Sequence, residues 1–299
     1  MSKITVIHHS ADFDGIFCRE IARKFLPDAE LIGWDFADPP LPVPDGQIYI
    51  LDLPVDRVFG VGKENGQSLR FAPELLSRVI WIDHHKSAID SHPAGIPGYR
   101  IDGVAACRLA WQWFQFNPMN FPRFDKQAFV ERKVVEPWAV RLAGEYDIWD
   151  QRDPDAELFQ HGLRAIPLTD GIWDELLEPR NFPDLVRQML NRGESVQYAK
   201  IEENASIIKE LGFTVKWEGL TFLACNAVRY NSHLFTAGLK PEHDACFGFK
   251  WTGTKWSVSL YHAPGRTRHD LSLIAVKHGG GGHRGACGFT TTTLPFLPC

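Results

Sequence analysis

The stretch ITVIHHSADFDGIFCREIARKFL, residues 4–26, decides the fold of the first half of the chain. Ile4 to His8 is a short, β-branched and apolar run, which predicts a strand. From Gly15 onward the apolar residues recur at helical spacing, which predicts a helix. Between the two lie a pair of histidines and two aspartates spaced Asp-x-Asp, with no lysine or arginine among them to balance the charge.

Three further apolar runs continue this alternation of strand and helix. They predict strands at Glu30–Trp34, Gln47–Asp52 and Val79–Asp83, and helical patterns follow at Val104–Phe116 and Lys133–Tyr146. Such alternation is typical of an α/β fold, in which a parallel sheet carries helices on both faces. Ligands of these folds bind at the carboxyl ends of the strands.

The second half of the chain has a different pattern. Residues 183–212 are charged and contain few turn signals, which predicts a helix. The segments that then read as strands are FTVKW, LTFLAC, ACFGFKW and KWSVSLYH. A helical pattern, DLSLIAVKHG, follows them and ends in a run of glycines. These elements predict a second, smaller α/β unit.

The patterns together predict the domain organisation. We expect a metal-binding domain over residues 1–182, a helical connector over 183–212 and a substrate-binding domain over 213–290, with a cleft between the two domains. The remaining residues, 291–299, read as a poorly ordered tail.

Composition narrows the classes of function. The net charge of −5 gives no attraction to long nucleic acids, so a polyanionic substrate would need metal ions or a small basic pocket. None of the six cysteines forms a Cys-x-x-Cys pair, which argues against a zinc knuckle and for buried thiols in a reducing compartment. Without a signal-peptide core or a membrane-length apolar run, the sequence predicts a cytoplasmic protein with no membrane partner.

Ionisable side chains follow successive predicted strands. In chain order they are His8, Asp12, Asp14, Asp52, Asp83, His84 and His85, and Asp147 lies in a later helix–loop region. Crossovers bring consecutive carboxyl ends to one edge of a parallel sheet, where these carboxylates would repel one another unless cations neutralise them. Mixed imidazole and carboxylate ligands suit Mn²⁺, Fe²⁺, Co²⁺ or Zn²⁺ better than Ca²⁺, and there are enough ligands for two ions.

Simpler interpretations exist for several of these residues. Asp12 and Asp14 could be N-caps of the following helix. Strand alternation sends His8 and His9 to opposite faces, so at most one of them should point at the site. The run DHHK at 83–86 has no use in a core, and it favours metal binding.

A second signal is HGGGGHRGACGF, residues 278–289. Four consecutive glycines do not suit the interior of a helix or strand, and they can adopt positive φ without steric cost. Their N–H groups could form an anion-binding concavity. Gly280, Gly281, Gly282 and His283 are therefore the predicted substrate-binding residues, and the alternative is a flexible linker.

These motifs resemble those of the DHH phosphoesterase superfamily, which includes RecJ-type exonucleases, nanoRNases, cyclic-dinucleotide phosphodiesterases and family II inorganic pyrophosphatases. The residues that match its amino-terminal motifs are His8, Asp12 and Asp14; Asp52; Asp83, His84 and His85; and Asp147, with Asp150 as the alternative for the last. The glycine run matches Gly-Gly-Gly-Gly-His-x-x-Ala-x-Gly of the associated DHHA1 domain.

The resemblance implies two divalent ions, Mn²⁺ in the first place and Mg²⁺, Co²⁺ or Fe²⁺ as alternatives. The ligands of one ion would be His8, Asp12 and Asp52. The ligands of the other would be Asp14, Asp52, His84 and Asp147, so that Asp52 bridges. His85 would contact the scissile phosphate, with Asp83 orienting the neighbouring histidines.

The resemblance also leaves points open. Lys86 is either a further contact to phosphate or a solvated lysine. Nuclease relatives often carry an arginine shortly after the Ser-Leu strand motif, where this chain has Tyr261. The candidates to replace that arginine are Arg229, Arg266 and Arg268.

The resemblance predicts a metal-dependent phosphodiesterase that hydrolyses short oligonucleotides or linear dinucleotides to mononucleotides. Its partner would be the short substrate itself, with no binding of long duplexes, and relatives often form homodimers. Alternatives are a cyclic-dinucleotide phosphodiesterase and a 3′-phosphoadenosine 5′-phosphate phosphatase. An inorganic pyrophosphatase and a non-catalytic nucleotide sensor are disfavoured, because pyrophosphatases lack the glycine run and sensors usually lose ligands.

Overall fold

The computed structural model describes residues 3–60, 63–64, 67–68, 73–92, 95–116, 123–150, 152–179, 183–228, 230–263 and 265–296. The chain divides into two compact units, Met1–Val196 and Gln197–Cys299. Within the described ranges, every helix is too short or too polar to cross a lipid bilayer.

The first unit is built from alternating strands and helices. Its strands are β1 (Ile4–His9), β2 (Glu30–Trp34), β3 (Gln47–Leu51), β4 (Lys63–Glu64), β5 (Gln67–Ser68), β6 (Val79–Asp83) and β7 (Gly98–Arg100). Its helices are α1 (Phe13–Phe25), α2 (Val55–Val58), α3 (Pro73–Leu76), α4 (Lys86–Ser91), α5 (Ala106–Gln115), α6 (Lys126–Val130), α7 (Trp138–Asp147), α8 (Asp155–Arg164), α9 (Asp170–Leu176) and the start of α10 (Asp184–Leu211). In the described residues β4 pairs with β5 alone, and the others form one parallel sheet in the order β2-β1-β3-β6-β7.

The parallel sheet is covered on both faces. Because side chains alternate along a strand, Val6 and Leu51 face a core shared with α1, α5, α7 and α8, whereas Ile7 and Ile50 face a second core shared with α2 and α4. Burial on both faces explains why these strands read as nearly continuous apolar runs. The predicted α/β fold is confirmed.

Two predicted helices are present with altered limits. The helix predicted at Lys133–Tyr146 begins at Trp138, because Pro137 occupies the N-cap position and proline disfavours helical conformation in the residue before it. Strand β7 was not predicted, since three residues are too few to show a periodic pattern.

The order of the strands fixes where a ligand would bind. Strand β1 lies between β2 and β3, so the chain first moves outward from β1 to β2 and then returns to the other side of β1. This reversal opens a crevice at the carboxyl ends of β1 and β3, which is the usual ligand site of such sheets.

The second unit contains a mixed sheet. Its strands are β8 (Gly212–Trp217), β9 (Leu220–Asn226), β10 (Ala245–Trp251), β11 (Trp256–His262), β12 (Gly281–His283) and β13 (Ala286–Thr291). A 3₁₀ helix, Ser232–Gly238, and α11 (Ser272–Lys277) complete it. Among the described residues the sheet order is β12-β13-β11-β10-β9-β8, with β9 and β10 parallel and the other pairs antiparallel. The predicted smaller α/β unit is confirmed.

The end of the chain differs from the prediction of a poorly ordered tail. Phe296 is 7% exposed, and its ring centroid lies 4.4 Å from that of Phe247 and 5.5 Å from that of Trp217. Phe296 therefore belongs to the core of the second unit, and the partly buried Leu294 packs against that core. Residues 297–299 lie outside the described ranges.

The predicted connector corresponds to one continuous helix, α10, in which the two compact units divide. The functional boundaries at residues 182 and 213 stay predictions.

Candidate metal centre

Asp52 lies immediately after β3, at the crevice where the strand order reverses. Its backbone has φ 60° and its N–H donates to the carbonyl of Ile82 at 2.9 Å. Aspartate tolerates this left-handed conformation better than most residues. The side chain is 2% exposed, and its Oδ1 has no hydrogen-bond partner in the described part of the chain. A buried carboxylate oxygen of this kind calls for a cation.

The first group of ligand atoms joins His9, Asp12 and Asp52. His9 Nδ1 lies 2.9 Å from Asp12 Oδ2 and 3.4 Å from Asp52 Oδ2. The other oxygen of Asp12 accepts a hydrogen bond from the Gly15 N–H at 3.0 Å, so this aspartate also caps α1. Asp12 is therefore the N-cap of α1 and also faces the first group, and its role as a metal ligand stays a prediction.

His8 does not join this group, contrary to the ligand spacing of its motif. Its Nδ1 lies 2.8 Å from the backbone carbonyl of His9, and its ring packs beside Gly33 of the neighbouring strand. Burial lowers the pKa of His8 to about 4, so the ring is neutral near pH 7. The geometry places His9 where the spacing had placed His8, because adjacent strand residues point to opposite faces.

Gly15 brings α1 close to the end of β1. A Cβ atom at this position would lie 2.1 Å from the carbonyl oxygen of His9 and 2.7 Å from its Cβ. Only glycine permits this approach without a shift of the backbone. The glycine after Asp-x-Asp thus holds His9 next to the cap of α1.

The second group joins Asp14, His84 and Asp147. His84 Nε2 lies 3.6 Å from Asp14 Oδ2, 3.4 Å from Asp147 Oδ2 and 3.4 Å from Asp52 Oδ1. Asp52 therefore touches both groups, as the bridging role would require. The weaker candidate of the fourth motif, Asp150, instead accepts from Arg152 Nε at 2.8 Å.

Asp14 is fixed by the start of α5. Its carboxylate accepts hydrogen bonds from the N–H groups of Ala106 at 2.8 Å and Cys107 at 2.7 Å. The first N–H groups of a helix lack intrahelical partners and attract negative charge. The orientation of Asp14 is therefore set before any ion binds.

Asp83 and His85 lie at the edge of the second group. Asp83 is fully buried, and its Oδ1 accepts from the N–H of His84 at 2.7 Å and lies 2.7 Å from Nδ1 of His85. Asp83 therefore orients His85 directly, and His84 through the backbone. His85 Nδ1 is 4.0 Å from Asp52 Oδ1, and the side chain is 36% exposed, so the ring borders the centre and is accessible.

The electrostatics of the cluster favour cations. Burial would lower the pKa of His84, but the carboxylates of Asp52 and Asp14 raise it to about 10. Burial and the charge of Asp52 raise the pKa of Asp14 to about 7, and burial holds the pKa of Asp147 well above its usual value. Protons thus supply positive charge to the metal-free cluster, and metal ions would compete with them.

The residues fit a pair of transition-metal ions. Atoms bound to one such ion at about 2.0–2.2 Å lie about 3–3.5 Å from one another. The separations within the two groups that include His9 and His84 run from 2.9 to 3.6 Å. Asp52 Oδ1 and His9 Nδ1 are buried, and although side-chain atoms of the cluster lie 2.9 to 3.4 Å away, neither atom makes a well-aligned hydrogen bond in the described residues.

Asp35 is a supporting residue that the motif analysis missed. Its Oδ1 lies 3.4 Å from His9 Nε2, the ring nitrogen opposite the one that faces Asp12 and Asp52. A carboxylate on the far nitrogen fixes the orientation of a ligating imidazole and raises its basicity. The signal was present, because Asp35 directly follows a predicted strand.

Two of the four consecutive glycines lie in a strand. Gly281 to His283 form the edge strand β12, which pairs with β13. This corrects the expectation that these glycines cannot lie in a strand. Gly282 has φ 128°, and a Cβ there would lie 2.6 Å from Cα of Cys287, so glycine is required by the close pairing. Gly280 to Gly282 and His283 as substrate-binding residues stay a prediction.

The cations considered for phosphate binding are largely engaged elsewhere. Lys86 Nζ lies 2.8 Å from Asp90, Arg266 donates to the carbonyl of Lys240 at 2.9 Å, and Arg268 pairs with Asp244. Arg229 lies outside the described residues.

No family model matches the chain. Among curated proteins the chain is 24% identical, over 230 residues, to the uncharacterized protein R106 of Acanthamoeba polyphaga mimivirus. The match covers 73% of this chain and 49% of that protein. The chain thus spans about half the length of the curated relative that it matches.

Three solved structures are similar to the chain. A DHH domain described as a member of the s1p family of ribosomal proteins has a TM-score of 0.52 and 13% identity, covering 97% of this chain and 82% of that one. The pGpG-specific phosphodiesterase PggH of Vibrio cholerae has a TM-score of 0.49 and 15% identity, covering 97% and 93%. RecJ of Thermus thermophilus in complex with Mn²⁺ has a TM-score of 0.44 and 15% identity, covering 97% and 49%.

The comparison with the solved DHH domain shows the fold of the chain. The chain is an α/β protein with the fold of a DHH domain. The resemblance to the DHH/DHHA1 superfamily, predicted from the motifs, is confirmed at the level of the fold.

Proposed function

We propose that the protein is a metal-dependent phosphoesterase that hydrolyses short oligonucleotides or linear dinucleotides, such as pGpG or pApA, to mononucleotides. The observation that carries the proposal is the pair of ligand groups that meet at Asp52, with His85 at their accessible edge. Two divalent ions held there, Mn²⁺ in the first place, would activate a water molecule and neutralise charge on the phosphate oxygens.

Side chains of the protein would hold the two ions and the substrate phosphate. One ion would be held by His9, Asp12 and Asp52. The other would be held by Asp14, Asp52, His84 and Asp147. His85 would hold a phosphate oxygen, and Asp83 keeps that ring in position. The start of α5 holds Asp14 in place, so little reorganisation is needed on binding.

Charge favours a short substrate. Binders of long nucleic acids usually carry an extended basic surface, whereas this chain has a net charge of −5. Cyclic dinucleotides and 3′-phosphoadenosine 5′-phosphate are the alternative substrates. A homodimer and a cytoplasmic location are proposed from the sequence alone.

A substrate panel tests the proposal. The protein is incubated with Mn²⁺ and a 5′-labelled RNA dimer, cyclic di-AMP, cyclic di-GMP, 3′-phosphoadenosine 5′-phosphate or pyrophosphate. We expect the dimer to be cleaved with the highest kcat/KM and cleavage to stop when a chelator removes the metal. His84→Ala is the matched inactive control.

Two results would contradict the proposal. Turnover that persists in His84→Ala would show that the reaction does not depend on the metal centre. Binding of nucleotides without any turnover would favour a sensor.

A further inference from the structure

Phe36 is an exposed aromatic residue in the loop after β2. Its side chain is 49% exposed, although most large apolar side chains of the first unit are buried. Two hydrogen bonds fix the conformation of this loop. The Phe36 N–H donates to Asp35 Oδ1 at 2.7 Å, and the Asp35 N–H donates to Asp38 Oδ2 at 2.8 Å. The ring is therefore presented to solvent by a structured turn.

The ring of Phe36 borders both ligand groups of the metal centre. Its centroid lies 5.5 Å from the ring of His9, at an interplanar angle of 68°, and 6.4 Å from the ring of His85, at 74°. His9 belongs to the first group, and His85 forms a further possible ligand set with Asp52 and His84. An apolar ring thus stands at the rim of a strongly polar site.

Trp34 supports Phe36 from the interior. Trp34 is 3% exposed, its ring centroid lies 5.7 Å from that of Phe36, and its Nε1 donates to the carbonyl of Pro39 at 3.0 Å. A buried ring thus lies next to the exposed one. This arrangement suits a platform that receives a flat apolar ligand at low entropic cost.

We propose that Phe36 stacks on the nucleobase next to the scissile phosphate and thereby selects nucleotides over other phosphoesters. The inference rests on the proposed function, because the base reaches Phe36 only when the phosphate lies at the metal centre. Every base has a π face, so stacking accepts different bases without hydrogen-bond readout. Stacking needs no arginine or lysine, which agrees with the partners that Lys86, Arg266 and Arg268 have within the protein.

The test compares substrates with and without a base. The kcat/KM values of an RNA dimer and of the same dimer made abasic at either position are measured for wild type, Phe36→Leu and Phe36→Trp. Leucine keeps an apolar side chain next to His9 but cannot stack on a base. We expect Phe36→Leu to reduce the preference for the intact dimer by about 5- to 150-fold, the range for one base–aromatic stack. We expect Phe36→Trp to retain it.

The control is Tyr198→Leu, which removes an aromatic side chain that is 68% exposed on α10, outside both predicted functional domains. It should leave the preference unchanged. If Phe36→Leu lowers kcat/KM equally for intact and abasic dimers, the ring merely packs on the histidines and the proposal is overturned.

A binding measurement separates this inference from the proposed function. If wild type cleaves no substrate, the proposed function fails, and the affinities of adenosine 5′-monophosphate and ribose 5-phosphate are compared with Mn²⁺ present. Stacking on Phe36 still predicts tighter binding of the nucleotide in wild type and a loss of that difference in Phe36→Leu. Equal affinities in wild type would overturn the role of Phe36.

Discussion

Two histidine pairs border the metal centre, and they are used differently. In the pair at the end of β1, only His9 reaches the acidic cluster, whereas His8 bonds to the backbone and packs against the neighbouring strand. In the pair after β6, His84 lies among three carboxylates and His85 lies at their edge. One pair therefore directs one ring toward the acidic cluster, and the other directs two.

The difference arises from the backbone. His8 and His9 both belong to β1, so the pleat sends their side chains in opposite directions. His84 and His85 follow the end of β6, where Asp83 accepts hydrogen bonds from both of their N–H groups at 2.7 and 3.2 Å. Two adjacent histidines can therefore face the same site when they follow the end of a strand, but not when both lie within a strand.

The largest expected effect separates the two members of the second pair. His84→Ala should lower the affinity for Mn²⁺ by more than about 100-fold, beyond the range for supporting residues, and abolish turnover with it. His85→Ala should retain the metal and lower kcat by about 10²- to 10³-fold, as for loss of one group that stabilises developing charge. Calorimetric titration with Mn²⁺ and single-turnover kinetics measure the two quantities. Equal Mn²⁺ affinities in the two variants would contradict the distinction between His84 as a metal ligand and His85 as a phosphate contact.

The first pair should behave unequally toward metal. His9→Ala should lower Mn²⁺ affinity by about 100-fold, because it removes a ligand rather than a supporting residue. His8→Ala should leave Mn²⁺ affinity near that of wild type and lower the free energy of unfolding instead, since His8 is 4% exposed and hydrogen-bonded. The reverse result would restore the assignment that the motif spacing suggested.

A smaller effect is expected at the residue that orients His9. Asp35→Ala should weaken Mn²⁺ binding by about 10- to 100-fold, because it frees the far nitrogen of the ring. Asp38→Ala is the matched control, since it also removes a hydrogen bond of the loop but does not touch His9. Equal losses in the two variants would indicate that the loop matters only as a whole.

The smallest expected effect is the pH dependence of stability due to His8. Its pKa is about 4 in the folded protein and near 6.5 when unfolded, so the unfolded state binds more protons between these values. Neutral His8 therefore contributes about 1–3 kcal/mol to the free energy of unfolding. This contribution is fully present above pH 6.5 and is lost as the pH falls to 4. Denaturant unfolding of metal-free protein should therefore show a shallower pH profile in His8→Gln than in wild type. Parallel profiles would mean that the pKa of His8 is the same in the folded and the unfolded protein.

Much of the site could be predicted from the sequence. Asp52, Asp83 and His84 follow apolar runs that end abruptly, and a parallel sheet brings such ends together wherever its strands lie. Asp147 was noted in a helix–loop region, but its local pattern does not place it at the edge of the sheet, and only the resemblance to a family motif assigned it to the site. Its approach to within 3.4 Å of His84 depends on how α7 packs.

The glycine run shows a different limit of local patterns. Its composition argued for an irregular cradle, but two of its glycines extend along β13. A strand partner supplies hydrogen bonds that composition does not reveal. Phe296 likewise finds its partners in strands far away in the chain.

Local periodicity was thus enough to establish the parallel sheet, the acidic and imidazole groups at its edge and the second α/β unit, because these properties depend on neighbours in the chain. The choice of His9 over His8, the carboxylate behind His9 and the ring of Phe36 beside two histidines came from the packed fold. Side-chain direction depends on the pleat of β1 and on the approach of α1 at Gly15, and both depend on contacts between separate elements.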